Sequence, residues 1–388
     1  MLKAFTLLGQ LSQRRLLRAP FCLGCSHPVG RGGATQPLDP SPQWEQDAEA
    51  AVRAAIDVGY RAIDTAEIYG TEQAVGRAIA AKIAEGVVTR EELFVTTKLT
   101  QAHHRPDLIE PCLRRSLENL QLDYVDLYLV HAPICYHYDE RLGLWPNRTD
   151  GSRLYDLETT VLDTWKGMEG VHDAGLARSI GVSNFSSRQL IDLAAQARVV
   201  PAVNQCESHP LLVQTELLAV CRSLGVVFEA YSPLGGNDQG SAMKAQLLSN
   251  SDFLAIAQRH GKTVPQLLLK WQVQRGVVTV AKSFTPSRIE QNAALFDWSL
   301  SDDEMATLSA HDACWRGVPP GTVGSDSLPS GAPSGRPADG HRYAKYADHP
   351  LYPWPELLGV PLDKAPPQSV RDAALDGVPA GLRGAPKL

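Results

Sequence analysis

Eight short β-rich runs, most starting about thirty residues after the one before, constrain this chain more than any other feature of its sequence. They are Pro20–Cys25, Tyr60–Asp64, Leu93–Lys98, Val125–His131, Arg178–Ser183, Val199–Gln205, Val226–Tyr231 and Val277–Lys282. Helical patterns lie between them. Asp47–Val58 carries apolar residues at Ala51, Ala54, Ala55 and Val58, the three-and-four spacing of one buried face. Leu108–Leu120, Leu162–Val171 and Leu211–Leu224 repeat that spacing, and Gly59, Gly175 and Gly225 each follow a helix just ahead of a strand, where a left-handed cap suits a residue without a side chain.

Alternating units of this kind close into a barrel or lie open as a doubly wound sheet. Eight units within about 290 residues suit a (β/α)8 TIM barrel. No GxGxxG follows any strand, so the dinucleotide fingerprint of the open fold is missing. The expected barrel occupies residues 20–310. Long connections at Pro133–Glu158 and Gly235–Asn250 should overhang the C-terminal face, where barrels place their active sites. A loop over residues 311–354 is expected to cover that face, since the stretch His341–Trp354 is dense in His, Tyr and Trp. Beyond it, 355–388 should be poorly ordered: nearly half of the chain's 27 prolines fall after residue 316.

Composition removes several classes of function. A net charge of −6 with 21% charged residues offers no broad basic surface for nucleic acid, and no apolar run is long enough to span a membrane. Seven scattered cysteines, an odd number, fit a reducing compartment, and the reading is a cytoplasmic monomer. Residues 1–19 read as a basic extension or hairpin; Arg14, Arg15 and Arg18 without acidic residues also match a mitochondrial transit peptide, the less favoured reading. Cys22 and Cys25 have CxxC spacing, but no second ligand pair accompanies them and no helix opens behind them. They read as small strand residues, and no metal is expected. Asn147-Arg-Thr149 is a sequon without a secretory signal.

The strand ends carry the chemistry. Asp64, Tyr69, Lys98 and His131 follow three successive strands, so a barrel brings them together. A free phenol titrates near ~10, and a nearby Lys98 ammonium would lower that value and make Tyr69 a general acid. Asp64 would keep Lys98 charged, and His131 would hydrogen-bond a substrate oxygen. Each residue alone has a plainer explanation as a cap, a packed ring or a core histidine. Four compatible groups on adjacent strand ends outweigh it. Later strand ends add Ser183, Asn184, Gln205, Tyr231 and Ser232, which suit a carboxamide and a flat ring, and Lys282 with Arg288, which suit a phosphate.

At these residues the chain resembles the aldo-keto reductase superfamily. The matching segments are Asp57–Ala66 with Tyr69-Gly70, Leu122–His131, Ile180–Phe185, Val203–Gln205, Tyr231–Gly235 and Ala281–Pro286 with Arg288. The resemblance implies a TIM barrel that uses NADPH to reduce an aldehyde or ketone, with Asp64, Tyr69, Lys98 and His131 as catalytic tetrad. It implies that Tyr69, His131 and Ala132 meet the substrate. Ser183, Asn184 and Gln205 would hold the nicotinamide carboxamide, with Tyr231 stacked on the ring. Gly24 and Cys25 would border the cofactor at the first strand end, and Ser232 and Leu234, with their neighbours to Gly235, would meet the pyrophosphate. Lys282, Ser283, Phe284, Thr285, Arg288 and Asn292 would bind the 2′-phosphate end.

The chain also departs from that pattern. Ser26, Thr100 and Ala132 stand where relatives often carry tryptophan, Gln291 where Glu is common, and Leu23-Gly-Cys25 where Gly-Thr is usual. A wide substrate pocket is therefore expected unless Tyr136, Tyr138, Trp145 or Trp315 refills it. The rival readings are a non-enzymatic or slow NADPH-binding barrel acting as a sensor or scaffold, and a barrel aldolase using Lys98 as a Schiff base.

Overall fold

The structure, a computed structural model, describes residues 21–25, 42–147, 154–236 and 242–316. The expected N-terminal extension, Ser26, Thr149 of the sequon, the 311–354 loop beyond Arg316 and the 355–388 tail lie outside them. Eight parallel strands close on themselves in chain order: β1 Phe21–Gly24, β2 Ala62–Asp64, β3 Phe94–Leu99, β4 Leu127–Val130, β5 Ile180–Ser183, β6 Val203–Glu207, β7 Val227–Tyr231 and β8 Val278–Ala281. Closure is direct: β1 pairs with β2 through Gly24↔Asp64 and with β8 through Leu23↔Ala281. The sheet thus has no free edge.

Helices form the outer ring: α1 Pro42–Val58, α2 Glu72–Ala84, α3 Pro106–Leu120, α4 Val161–Asp173, α5 Ser187–Gln196, α6 Thr215–Leu224, α7 Ala242–Ser249, α8 Ser251–Arg259, α9 Val264–Gln274, α10 Pro286–Ala293 and α11 Asp302–Ser309. Among the described residues, no helix is long and apolar enough to cross a membrane. The expected helix over Leu211–Leu224 starts late. Leu211, Leu212 and Val213 run as an irregular segment bridged at His209↔Leu212, and Gln214 has φ 58°, so the helix opens only at Thr215. Those three apolar side chains are buried, and Leu211 and Val213 pack in a satellite core with Met243, Phe253 and Trp271. The sixth strand starts at Val203, four residues later than expected, and runs on to Glu207. Pro201, just before it, has no N–H to give a ladder. The connection after β7 is not all loop, since α7 lies within it.

Side chains alternate across each strand. Ile63, Val95, Tyr128, Val130 and Val182 face the helices and join the main core, whereas Cys22, Ala62, Phe94, Leu127, Leu129, Val203, Val227 and Val278 fill the barrel interior. Each large apolar side chain so buried contributes ~1.5–3 kcal/mol. Gly181 takes an inward place in β5 because a Cβ there would stand 2.7 Å from the Val203 carbonyl and 2.8 Å from Leu129.

Candidate active site

Inward parity, followed upward, delivers the site. Ala62 is followed two residues on by Asp64, Phe94 by Thr96 and Lys98, Leu127 by Leu129 and His131, Val203 by Gln205, Val227 by Glu229 and Tyr231, and Val278 by Val280 and Lys282. The apolar residues fill the lower layers and the polar ones the C-terminal mouth. Tyr69 reaches the same place from a 3-10 turn, Glu67–Tyr69, just past β2, closed by Gly70 at φ 64°.

The four expected catalytic residues meet. Lys98 Nζ donates to Asp64 Oδ1 at 2.6 Å and to the Thr65 carbonyl at 2.9 Å. It also lies 5.0 Å from the Tyr69 ring centre. The Tyr69 hydroxyl is 3.4 Å from His131 Nε2, and the two rings meet edge to face. Burial works against the Lys98 ammonium, yet Asp64 and Tyr69 hold its pKa above the ordinary lysine value. Burial, then the Lys98 charge, push the His131 pKa well down, so its imidazole is neutral. Tyr69 corrects the expectation of a lowered phenol. Burial pushes its pKa up and Lys98 draws it only part of the way back, so the net shift is upward.

Beneath the tetrad lies a carboxyl that the sequence reading missed. Gln205 Nε2 donates to Asp64 Oδ2 and to Glu229 Oε2, each at 2.8 Å. Glu229 is buried, and burial followed by the charge of Asp64 pushes its pKa up to about 8.

The residues that the resemblance assigns to a cofactor line one side of the mouth. Tyr231 donates its hydroxyl hydrogen to Asn184 Oδ1 at 2.8 Å, while Asn184 Nδ2 donates to the His131 carbonyl at 2.9 Å and to Ser183 Oγ at 3.1 Å. Asn184 and Ser232 hold left-handed backbones at φ 64° and 50°. Such conformations in non-glycine residues concentrate at functional sites. With both amide hydrogens committed, Gln205 keeps Oε1 as the acceptor it can offer. Gly24 ends β1, where a Cβ would come within 3.0 Å of Val280, and the backbone of Cys25 is fixed by Asp64 and Thr71. Leu234 packs between the main and satellite cores. Ser283 caps the Thr285 N–H, Arg288 is exposed on the first turn of α10, and Asn292 is buried on its last. Lys282, expected with Arg288 at a phosphate, is half-buried. Its ammonium lies 4.9 Å from each of the Trp44 and Phe284 rings, and burial brings its pKa down to about 8.

Cys22 and Cys25, expected as small strand residues, lie in β1 and just past its end. Both are free and buried, and burial followed by Asp64 pushes the Cys25 thiol up to about 12. Thr100 and Ala132, expected near the substrate, are buried. Tyr136 packs with Ala102 and Ile134 under Trp145 and Tyr155, and Tyr138 stacks near His103. Trp315 packs instead against the satellite core, its N–H bonded to the Leu211 carbonyl.

A sequence profile of the Aldo/keto reductase family matches residues 28–313. The chain belongs to the aldo/keto reductase family. It is thus an oxidoreductase that acts on carbonyl groups. It is 42% identical over 328 residues to aldo-keto reductase family 1 member A1 of Homo sapiens, covering 83% of this chain and 96% of that one. The protein of the same name from Xenopus tropicalis is 44% identical over 308 residues, covering 78% and 89%. The solved aldose reductase of Schistosoma japonicum aligns with a TM-score of 0.68 at 33% identity, covering 77% of this chain and 90% of that one.

For this aldo-keto reductase the sequence reading missed two residues of the mouth, Trp44 and Glu229. Glu229 was within reach, because a lone acid on the inward parity of the apolar run Val227–Tyr231 points into a barrel. Trp44 carried no such signal, since the contact with Lys282 exists only once α1 and β8 are neighbours.

Proposed function

We propose that this aldo-keto reductase uses NADPH to reduce an aldehyde or ketone to the alcohol, with Tyr69 as the proton donor. The observation that carries this is the convergence of the half-buried Tyr69 side chain, the Lys98 ammonium and the neutral His131 imidazole at one point of the mouth. The residues fit the cofactor: Ser183, Asn184 and Gln205 are buried polar groups suited to a carboxamide, Tyr231 presents a ring beside them, and Lys282 with Arg288 offers two cations to a phosphate. Bound NADPH supplies the hydride.

The chain's own residues handle the proton. Raised by burial, Tyr69 rests protonated, which a donor requires. His131, neutral and carrying its hydrogen on Nε2, donates to the carbonyl oxygen and polarises it. As negative charge gathers on that oxygen, the Tyr69 proton moves to it. The phenolate left behind is stabilised by Lys98, whose charge Asp64 secures. Attraction that grows as the phenolate forms lowers the barrier, whereas a uniformly held charge would not.

A turnover assay with NADPH and a panel of aromatic and aliphatic carbonyls tests the reading. NADPH oxidation that depends on added carbonyl is expected. Tight NADPH binding with no turnover on any carbonyl would favour the sensor reading instead.

A further inference from the structure

Outside the mouth, and among the described residues, one cluster of side chains has the donor set of a metal centre. Glu67 sits on the 3-10 turn that carries Tyr69, His103 ends the 3-10 turn Gln101–His103 just past β3, and Cys112 lies on α3. Glu67 Oε2 is 3.2 Å from Cys112 Sγ and 3.4 Å from His103 Nδ1, and all three donor atoms lie within 4.8 Å of one another. Zinc bonds of ~2.0–2.3 Å at tetrahedral angles set ligand atoms ~3.3–3.8 Å apart, so two of the three edges already have about that length.

The His103 side chain is more than nine-tenths buried, and its Nδ1 faces Glu67 Oε2 at ion-pair distance but outside hydrogen-bond geometry. Arg115 occupies Glu67 Oε1 through Nε and Nη2 and leaves Oε2 on the side of the cluster. Tyr128 donates its hydroxyl hydrogen to Cys112 Sγ at 3.5 Å, the kind of outer contact that orients a ligand.

We propose that Glu67, His103 and Cys112 form a binding site for a borderline-soft divalent cation of the zinc class. One thiolate, one imidazole and one carboxylate select such an ion over magnesium or calcium, which take oxygen ligands. On binding, Cys112 loses its thiol proton to solvent and the Sγ–metal bond replaces the S–H bond. The bound ion ties the turn of Tyr69 to α3 and to the end of β3. The site lies two residues from Tyr69 yet shares no residue with the tetrad.

Cobalt(II), titrated into metal-stripped protein in a Cys314→Ser background, tests this, because that substitution removes the exposed thiol. One equivalent should bind with thiolate-to-cobalt charge-transfer absorption in the near ultraviolet. Zinc should bleach that absorption and raise the melting temperature. Adding Cys112→Ser should abolish the charge-transfer band. His103→Gln should weaken cobalt binding by about tenfold or more while far-ultraviolet circular dichroism stays that of the parent. Failure of the parent to take up one equivalent would overturn the proposal. So would a charge-transfer band that survives in Cys112→Ser, or cobalt affinity unchanged in His103→Gln.

Discussion

The carboxyls of Asp64 and Glu229 share a single Gln205 amide, and the Lys98 ammonium is bonded to Asp64 alone of the two. Glu229 is held protonated at neutral pH, its value pushed from 4.5 to about 8 by burial and then by Asp64. A raised value in the folded state means that the native protein holds a proton the unfolded chain has already lost. Its contribution to stability is therefore fully present below the unfolded value and lost as pH rises through the folded one. Glu229→Gln removes that dependence. Urea unfolding at pH 5 and pH 8 should show stability relative to the parent shifting in the variant's favour by at least ~1 kcal/mol, since a tenfold change in proton affinity is worth ~1.4 kcal/mol. Parallel curves would show that Glu229 titrates normally. The proposed function gives Arg288 a role at the cofactor instead. As an exposed guanidinium on α10, it should read the 2′-phosphate. A charge-assisted contact is worth ~1.5–3 kcal/mol, so Arg288→Ala should raise the Kd for NADPH at least about tenfold and leave that for NADH nearly unchanged. Equal weakening of both would remove Arg288 from that role. Asp64, Lys98 and His131 were legible in the sequence because each ends an apolar run on its inward parity. The upward shift of Tyr69 was not, because burial of the phenol depends on groups from several strands at once.

At the scale of elements, the end of the barrel opposite the mouth is held by charge. Asp126, just ahead of β4, accepts the Val95 N–H at 3.0 Å and pairs with Arg90 at 2.8 Å and Arg178 at 3.5 Å. Both guanidiniums lie over the Tyr124 ring, at 4.0 and 3.8 Å from its centre. Removing the buried carboxylate leaves two cations and an N–H without it, so Asp126→Ala should cost ~3 kcal/mol or more of unfolding free energy. Because this clamp lies away from the strand ends that hold the tetrad, kcat/KM should stay near the parent's. A large kcat loss with unchanged stability would reverse that division of labour. Strand positions were readable from their apolar runs. Several helices carried an unused signal: Ser186 with Gln189, Thr263 with Gln266 and Ser301 with Glu304 each form a capping box at the start of α5, α9 and α11. The late start of α6 was hidden, since Leu211–Val213 satisfy helical spacing while tertiary packing claims them for the satellite core.

For the molecule as a whole, the proposed reading gives the chemistry to the barrel and the choice of substrate to the connections after its strands. Thr100 and Ala132 are small and buried, and Tyr136, Trp145 and Tyr155 gather over Ala102 and Ile134. Small side chains at Thr100 and Ala132 should leave room for bulky carbonyls, each Å² of apolar contact contributing about 25 cal/mol. Specificity constants should rise with size across an aldehyde series from propanal upwards, and a series in which the smallest aldehydes perform best would contradict it. The fold was legible because eight repeats and their parity are local in sequence, whereas the pocket depends on loops whose packing partners are remote. The central claim, that the Tyr69 phenol gives the proton, is tested most directly by Tyr69→Phe, which keeps the ring and removes only the hydroxyl. With NADPH binding measured by calorimetry in the same preparation, binding should stay close to the parent's while kcat falls by at least about a hundredfold. Turnover near the parent's with cofactor bound would contradict the account.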